Sequence, residues 1–374
     1  MDYEKLKYWL ALKSIMGIGN ALFSALVDNW GTPEAVFSAS ASKLQTLPGI
    51  TRKIADAVIG FKSWDKILRE LELVRKAGIN IVTYQDELYP VKLLEIYDRP
   101  VFLYLQGKLT SDDINIAVVG SRLASTYGKY TTERISRELA GLGLTVVSGL
   151  ARGIDSAAHR GALAARGRTI AVLGSGLDIV YPPENKKLFA TIIEQGAVIS
   201  ELPLGSPPVA FNFPARNRII SGMSYGVVVV EAGEKSGSLI TAKLALEQGR
   251  EVFAVPGSID SAGARGTNKL IKQGAKLIEN TDDILEEILP QLEKTKVFSA
   301  SSVSRPEAIK PPAKTELSKT DQEIVDIVSG GCLHIDEIIT GTGLSPAEIS
   351  STLMALELKG LIQQHPGKYF SLKK

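Results

Sequence analysis

From residue 114 to about 290, short runs of Val, Ile and Ala alternate with longer segments whose apolar positions recur every three to four residues. The short runs are Ile116–Val119, Thr145–Ser148, Thr169–Leu173, Ala197–Ser200, Val227–Val230 and Glu251–Val255. The segments between them predict helices over Thr126–Leu142, Ile154–Ala165, Glu184–Glu194, Arg216–Met223 and Leu239–Gln248. Strands that are apolar at nearly every position are buried on both faces, as in a parallel sheet covered by helices on each side. Right-handed crossovers make this an α/β, Rossmann-like, doubly wound and mostly parallel fold.

The texture changes on either side. Residues 1–85 carry helical patterns broken by glycine, with two similar turns. Gly17-Ile18-Gly19 precedes Leu22, Phe23 and Leu26; Leu47-Pro48-Gly49-Ile50 precedes Ile54, Ala55, Val58 and Ile59. An apolar-Gly-apolar turn between short helices is the form of a helix-hairpin-helix, whose second helix start can hold a phosphate. Two plain αα turns in a SAM-like bundle are the alternative. A connector containing Tyr89-Pro90 and Arg99–Tyr104 leads into the core, taken as residues 86–290. Residues 291–314, rich in Ser, Pro and Lys, predict a flexible linker. Residues 315–374 follow a winged-helix plan: helix Thr320–Val328, helix Asp336–Ile339, helix Ala347–Lys359 opened by Ser345 with Glu348 in capping-box position, then a hairpin. The third helix carries Glu348 and Glu357 and few bases, so DNA and protein contact both stay open for it.

The single cysteine, Cys332, permits no internal disulfide, which suits a reducing compartment. The opening residues lack signal-peptide design, and no apolar run approaches a membrane span. A cytoplasmic protein without membrane partners is expected. The net charge of +2 means that a polyanion site here is a local patch. With aromatics at 6%, a long base-stacking platform is not expected.

Parallel strands deliver their C-terminal ends to one rim, where ligands bind. Beyond those ends stand Gly120-Ser121-Arg122, Ser148-Gly149-Leu150-Ala151-Arg152-Gly153-Ile154-Asp155, Gly174-Ser175-Gly176, and Glu231-Ala232-Gly233 through Ser236-Gly237-Ser238. Glycine lets backbone approach a phosphate, helix starts offer N–H donors, and arginine adds a bidentate contact. Four such loops on one rim point to an extended anionic ligand; the plainer alternative is glycines serving tight βα turns. Arg122 stands where a dinucleotide loop needs its second glycine, and no GxxxxGK[ST] occurs, so neither a nicotinamide cofactor nor ATPase chemistry is expected.

The densest basic stretch is Phe211-Asn212-Phe213-Pro214-Ala215-Arg216-Asn217-Arg218. It combines phosphate clamps, a hydrogen-bonding amide and rings able to stack, with Arg216 and Arg218 placed together in one basic pocket. The alternative pairs the arginines with acids such as Glu231 and buries the rings. Lys186 and Lys187 add charge at another helix start. Asp155 and Glu231 are candidates to orient the rim's arginines. His159, one turn from Asp155, is a structural histidine, since nothing supplies a nucleophile elbow. Metal-ligand spacing is absent.

The motifs Ala117-Val-Val-Gly-Ser-Arg122, Ser148-Gly-Leu-Ala-Arg-Gly-Ile-Asp-Ser-Ala-Ala-His159, Tyr181-Pro-Pro-Glu-Asn185, Phe213-Pro-Ala-Arg-Asn-Arg-Ile-Ile220, Val230-Glu-Ala232, Ser236-Gly-Ser-Leu-Ile-Thr241 and Val255-Pro-Gly257 together resemble the DNA-processing protein A (DprA/Smf) family. The resemblance implies a single-stranded-DNA-binding protein that protects incoming DNA, loads the RecA recombinase in natural transformation, and dimerises through its core without catalysis. It implies Ser121, Arg122, Lys186 or Lys187, and Asn217 as strand contacts. The residues' own chemistry adds Gly120, Arg152, Phe211, Arg216, Arg218, Ser236 and Gly237. Two other classes stay in view. One is a phosphoribohydrolase-like nucleotide enzyme, whose PGGxGT loop has only Glu231-Ala-Gly-Glu-Lys-Ser-Gly-Ser238 as counterpart. The other is a protein adaptor with a vestigial rim.

Overall fold

The computed structural model describes residues 3–294 and, from 319 to 372, all but 330, 332, 343–348, 350–351, 354–355, 357–360 and 366–368. The chain divides into two units, Met1–Ser304 and Arg305–Lys374.

The first unit opens with helices α1 (Tyr3–Ser14), α2 (Asn20–Trp30), α3 (Pro33–Phe37), α4 (Ala41–Leu44), α5 (Arg52–Ile59) and α6 (Trp64–Lys76). Side-chain caps start three of them: Thr32 accepts from Ala35 N, Ser40 from Lys43 N and Thr51 from Ile54 N. Phe23, Leu26, Val36 and Leu44 are fully buried at the centre of this bundle. The two glycine turns are the α1–α2 and α4–α5 connections, the arrangement of a helix-hairpin-helix pair; Gly17 and Gly49 adopt positive φ there.

The core follows as β1 (Asn80–Thr83), α7 (Val91–Leu94), β2 (Phe102–Gly107), β3 (Asn115–Val119), α8 (Thr126–Gly141), β4 (Thr145–Ser148), α9 (Ile154–Ala164), β5 (Thr169–Val172), α10 (Lys186–Gln195), β6 (Ala197–Ser200), α11 (Asn212–Gly222), β7 (Gly226–Val229), α12 (Gly237–Glu247), β8 (Glu251–Ala254), α13 (Arg265–Lys272), β9 (Lys276–Leu277) and α14 (Asp282–Lys294). The nine strands lie in the order β1-β2-β6-β5-β4-β3-β7-β8-β9. From β6 to β9 every pairing is parallel. Only β2 runs against its neighbours.

Three of these strands, β1, β2 and the two-residue β9, were not expected. β1 and β2 fall in segments assigned to the helical region and to the connector, and β1 enters the sheet five residues before the expected boundary at 85. At the other end, residues 291–294 of the expected linker complete α14, and the rest of that stretch lies outside the described residues.

β3 shows how the sheet is covered. Its Ile116 and Val118 pack with Ile135, Leu139 and Ala158 of α8 and α9, while Ala117 and Val119 pack with Ile219 of α11 and Ala242 of α12. A third apolar cluster joins the N-terminal helices to Phe102, Tyr104, Phe189 and Val198 at the β2–β6 side of the sheet. The chain winds outward from β3 through β4, β5 and β6, then returns along α11 to β7 on the other side of β3. The switch point of the topology is therefore the β3/β7 junction.

The second unit holds α15 (Lys319–Ser329), β10 (Leu333–His334), α16 (Ile335–Thr342), β11 (Ile362–His365) and β12 (Tyr369–Leu372), with strand order β10-β12-β11. Ile324, Val328, Ile338, Ile349, Leu353, Leu356, Ile362 and Phe370 form its core. Helices followed by a small sheet with a terminal hairpin make a winged-helix module. The capping pair Ser345 and Glu348, and the charges of the expected recognition helix, lie outside the described residues.

Candidate nucleic-acid interface

A cleft of about 800 Å³ opens at the β3/β7 switch point. One wall is Gly120-Ser121-Arg122 after β3, the second is the loop from Gly233 to Gly237 after β7, and the third is α11. The helix contributes Phe213, Arg216, Asn217 and Ile220, spaced i, i+3, i+4 and i+7 on one face.

That spacing exists because α11 begins at Asn212, four residues before the expected start at Arg216. Pro214 does not prevent it, since the first four helical N–H groups have no intrahelical acceptor to lose. Helical geometry also corrects the expected pairing of arginines. Two residues along a helix is a turn of roughly 200°, so Arg218 leaves the cleft face on which Arg216 stands. Arg218 is held on the far side by Glu201 at 2.5 Å and Asp98 at 3.0 Å. The acid foreseen for these arginines, Glu231, pairs with neither of them in the described contacts. Its carboxylate accepts from Ser125 N at 3.1 Å and Ser125 Oγ at 2.8 Å.

Arg122 is exposed, with its guanidinium 5.0 Å from the Phe213 ring centroid, and the Tyr181 ring stands 5.9 Å from that same ring. A cation over an aromatic face leaves N–H groups free at its edge, so one cluster presents phosphate donors beside stacking surfaces. Arg216 is different. It is buried, donates from Nη1 to Val172 O at 2.8 Å, and sits beside fully buried Asp155. Burial lowers the guanidinium to about 10, with Asp155 opposing the fall. Burial likewise pushes the Asp155 carboxyl up, against the pull of Arg216 and of the Ala151 N–H. Arg216 is thus a structural charge forming the cleft floor, with the Asp155 carboxyl as an attractive charge nearby.

Most rim glycines answer to protein atoms. A Cβ on Gly149 would lie 1.6 Å from Arg216 Nη1, one on Gly153 2.2 Å from Ser121 O, one on Gly120 2.6 Å from Ile154, and one on Gly174 3.0 Å from the Phe213 ring. The space around Gly237 is open, with nothing within 4 Å. The helix starts divide in the same way. The start of α8 is taken by the Glu231 carboxylate, and Ile154 N of α9 donates to Ser121 O. The start of α12, capped by Ser236, which accepts from Ser238 N, faces the cleft. Of these three helix starts, that of α12 is the one open to the cleft.

Of the expected site residues, Gly120, Ser121, Arg122, Arg216, Asn217, Ser236 and Gly237 come together in the cleft. Arg152 borders a small adjoining recess and pairs with Glu184 at 2.5 Å. Lys186 and Lys187 are exposed at the start of α10, away from the cleft lining. Phe211 projects into solvent, 76% exposed, also outside the lining. The ring that serves the cleft is Phe213, one helical step from Arg216; helical spacing would have found it had the helix start been placed earlier. Lys235 and Tyr181 were likewise overlooked as site residues; Lys235 is an exposed cation in the wall formed by the 233–238 loop. His159 is buried and meets Thr169 Oγ1 at 2.7 Å, the structural role expected of it; Asp155 faces Arg216 instead.

A Rossmann-like core with a basic, ring-lined cleft at its switch point, preceded in the chain by a helix-hairpin-helix module and followed by a winged-helix module, defines an architecture for handling nucleic acid. The profile of DNA recombination-mediator protein A matches residues 80–289. That of the DprA winged helix domain matches 308–368, and that of the SAM-like helix-hairpin-helix tandem 10–60. Protein Smf of Escherichia coli is 38% identical over 98% of this chain and 96% of its own length. DNA processing protein DprA of Bacillus subtilis is 41% identical over 74% of this chain and 94% of its own length. The crystal structure of DNA processing protein A from Streptococcus pneumoniae superposes with a TM-score of 0.67 at 36% identity, over 75% of this chain and 98% of that one. The Helicobacter pylori protein, whose structure is described for its single-stranded DNA binding mode, superposes with a TM-score of 0.51 at 31% identity, over 57% of this chain and 97% of that one. The chain belongs to the DNA recombination-mediator protein A family.

Proposed function

We propose that this chain is a single-stranded-DNA-binding protein that lays one strand along the β3/β7 cleft and performs no chemistry on it. The observation that carries the reading is Arg122 over Phe213 beside the open start of α12. That grouping offers a cation for phosphate, a ring for a base and the Gly237 N–H at an uncrowded helix start. Asn217 and Lys235 extend it along the cleft. The relatives named for DNA processing, and the strand-binding mode described for the Helicobacter pylori protein, support the same ligand. In this role the protein shields incoming DNA and loads the RecA recombinase onto it, as a cytoplasmic homodimer joined through the core. The nucleotide-enzyme alternative has weaker support, because the cleft carboxylate Asp155 accepts from the Ala151 N–H and His159 meets Thr169 within the buried core.

Fluorescence anisotropy with labelled oligo-dT at several salt concentrations tests this, beside a duplex of equal length and Arg122→Ala. The expected result is salt-sensitive preference for the single strand. In the variant, affinity should fall about tenfold and the salt slope by about 0.7, one phosphate contact on a single strand. Equal or absent binding to both DNAs, unmoved by the variant, would sink the proposal.

A further inference from the structure

The far face of α11 carries a chain of polar groups that the cleft does not use. Arg218 Nη2 donates to Glu201 Oε2 at 2.5 Å, and its Nε lies 3.0 Å from Asp98 Oδ2. The other oxygen of Glu201, Oε1, accepts from Asn20 Nδ2 at 2.9 Å. The side-chain oxygen of Asn20 accepts in turn from Lys13 Nζ. Lys13 stands in the last turn of α1 and Asn20 is the first residue of α2, so the two flank the first hairpin turn, Gly17-Ile18-Gly19. Arg218 and Glu201 are mostly withdrawn from water, at 12% and 18% side-chain exposure, and Asn20 is buried.

Two features give this chain a purpose beyond packing. First, Glu201 belongs to the core yet stands beside the start of α2, where a hairpin of this type offers donors to a phosphate. The Glu201 carboxylate meets the hairpin through the Asn20 side chain. Second, α11 enters the structure without a side-chain cap. Its end is fixed by close packing, since a Cβ on Gly222 would meet Ile96 at 2.9 Å and Leu93 at 3.0 Å. Its first turns carry the cleft face and are tied to the sheet by Asn212 Nδ2, which donates to Gly174 O and Pro207 O, and by Arg216 Nη1 on Val172 O, while Arg218 ties the opposite face to Glu201 and Asp98. A guanidinium held by two carboxylates fixes the helix against rotation about its axis.

We propose that Arg218 is a positioning residue: through Glu201, the first helix-hairpin-helix turn sets the orientation of α11 and so aligns Phe213, Arg216 and Asn217 along the cleft. This rests on the cleft being the strand site.

The test uses the whole chain, with Arg218→Gln, Asn20→Ala, their double variant and Arg122→Ala, titrated with oligo-dT across salt concentrations. A positioning residue loses affinity, about tenfold for Arg218→Gln and about threefold for Asn20→Ala, with the wild-type salt slope kept. The double variant binds no more weakly than Arg218→Gln, because both substitutions cut one chain. A slope reduced in Arg218→Gln as in Arg122→Ala would make Arg218 a phosphate contact and overturn the proposal. Additive losses in the double variant would overturn it too. Hydrogen exchange on the DNA-free proteins gives an independent readout. Amides of 212–222 should exchange faster in Arg218→Gln and Asn20→Ala and not in Arg122→Ala. Equal protection in all of them sinks the positioning role even if no chain binds oligo-dT, whereas a wild type that ignores oligo-dT marks failure of the strand-binding reading alone. Should Arg218→Gln not fold, Arg218→Lys keeps the charge, loses the two-carboxylate fork and carries the same tests.

Discussion

The two halves of the rim differ. Around the ends of β4 and β5, the loops that look most like phosphate cradles are closed by the protein itself: Arg216 lies on Gly149, Phe213 on Gly174 and the Ser121 carbonyl on Gly153. Beyond β7, the loop 233–238 and the start of α12 stand open to the cleft. A glycine at a strand end therefore has two physical meanings. On one side it admits a neighbouring side chain that builds the floor; on the other it leaves room for a ligand.

Substitutions that add one methyl group separate those meanings. The largest effect is expected at Gly149→Ala, whose Cβ would collide with the buried Arg216 guanidinium. Displacing a buried charge from its partners should cost about 3 kcal/mol or more in urea unfolding. A stable Gly149→Ala protein that merely fails to bind oligo-dT would return Gly149 to the ligand side of the comparison.

The closed half also carries an acid-sensitive group. Burial holds the His159 imidazole neutral, down from 6.5 to about 3. Below about pH 6.5 the unfolded chain takes up a proton that the folded chain refuses until about pH 3. Stability is thus full above that window and falls as the pH is lowered through it, by at most about 1.4 kcal/mol per pH unit. Unfolding measured between pH 7 and 4 should show a flatter acid limb for His159→Gln; parallel limbs for the two proteins would mean that the buried ring does not govern it.

Gly237→Ala is expected to leave the unfolding midpoint within about 0.5 kcal/mol of wild type, since nothing lies near the added methyl. The same change should weaken oligo-dT binding about fivefold if a phosphate approaches the helix start closely. Binding left intact would place the strand elsewhere on the rim. The smallest effect belongs to Arg152→Ala. That arginine is spent on an exposed pair with Glu184, and less than about a twofold change in affinity is expected by anisotropy. A tenfold loss would extend the ligand onto the closed half.

Much of this architecture was legible in the residues. The parallel strands announced themselves as uninterrupted Val/Ile runs, and Thr145–Ser148 and Ala197–Ser200 agree with β4 and β6 to the residue. Strands β1 and β2 were not legible, because Asn80–Thr83 and Phe102–Gly107 lie between segments punctuated by Pro90 and Pro100 and pair across the chain with no helical crossover to mark them. Within the site, residue types pointed to Arg122, Asn217 and Ser236. The exchange of Phe211 for Phe213 traces to one helix boundary, and the loss of Arg218 from the cleft to the roughly 200° between positions two apart on a helix. Moving a helix start by four residues leaves the periodicity intact but changes which residues it governs. The burial of Arg216 had no local signal. It comes from the Val172 carbonyl, which takes Nη1, and from the Gly149 turn packed against the guanidinium, both far away in sequence.

The ribbon of β1 and β2 matters for anyone dividing the molecule. β1 is the outermost strand, and its described pairing is with β2 alone, through Asn80 opposite Leu105 to Thr83 opposite Phe102. A fragment starting at residue 86 keeps β2 and discards that cover. The apolar stretch Phe102–Leu105 would then offer a row of unpaired N–H and C=O groups to any chain that met it. Such a fragment would tend to self-associate edge to edge. A fragment that begins before Asn80 carries its own edge guard with it.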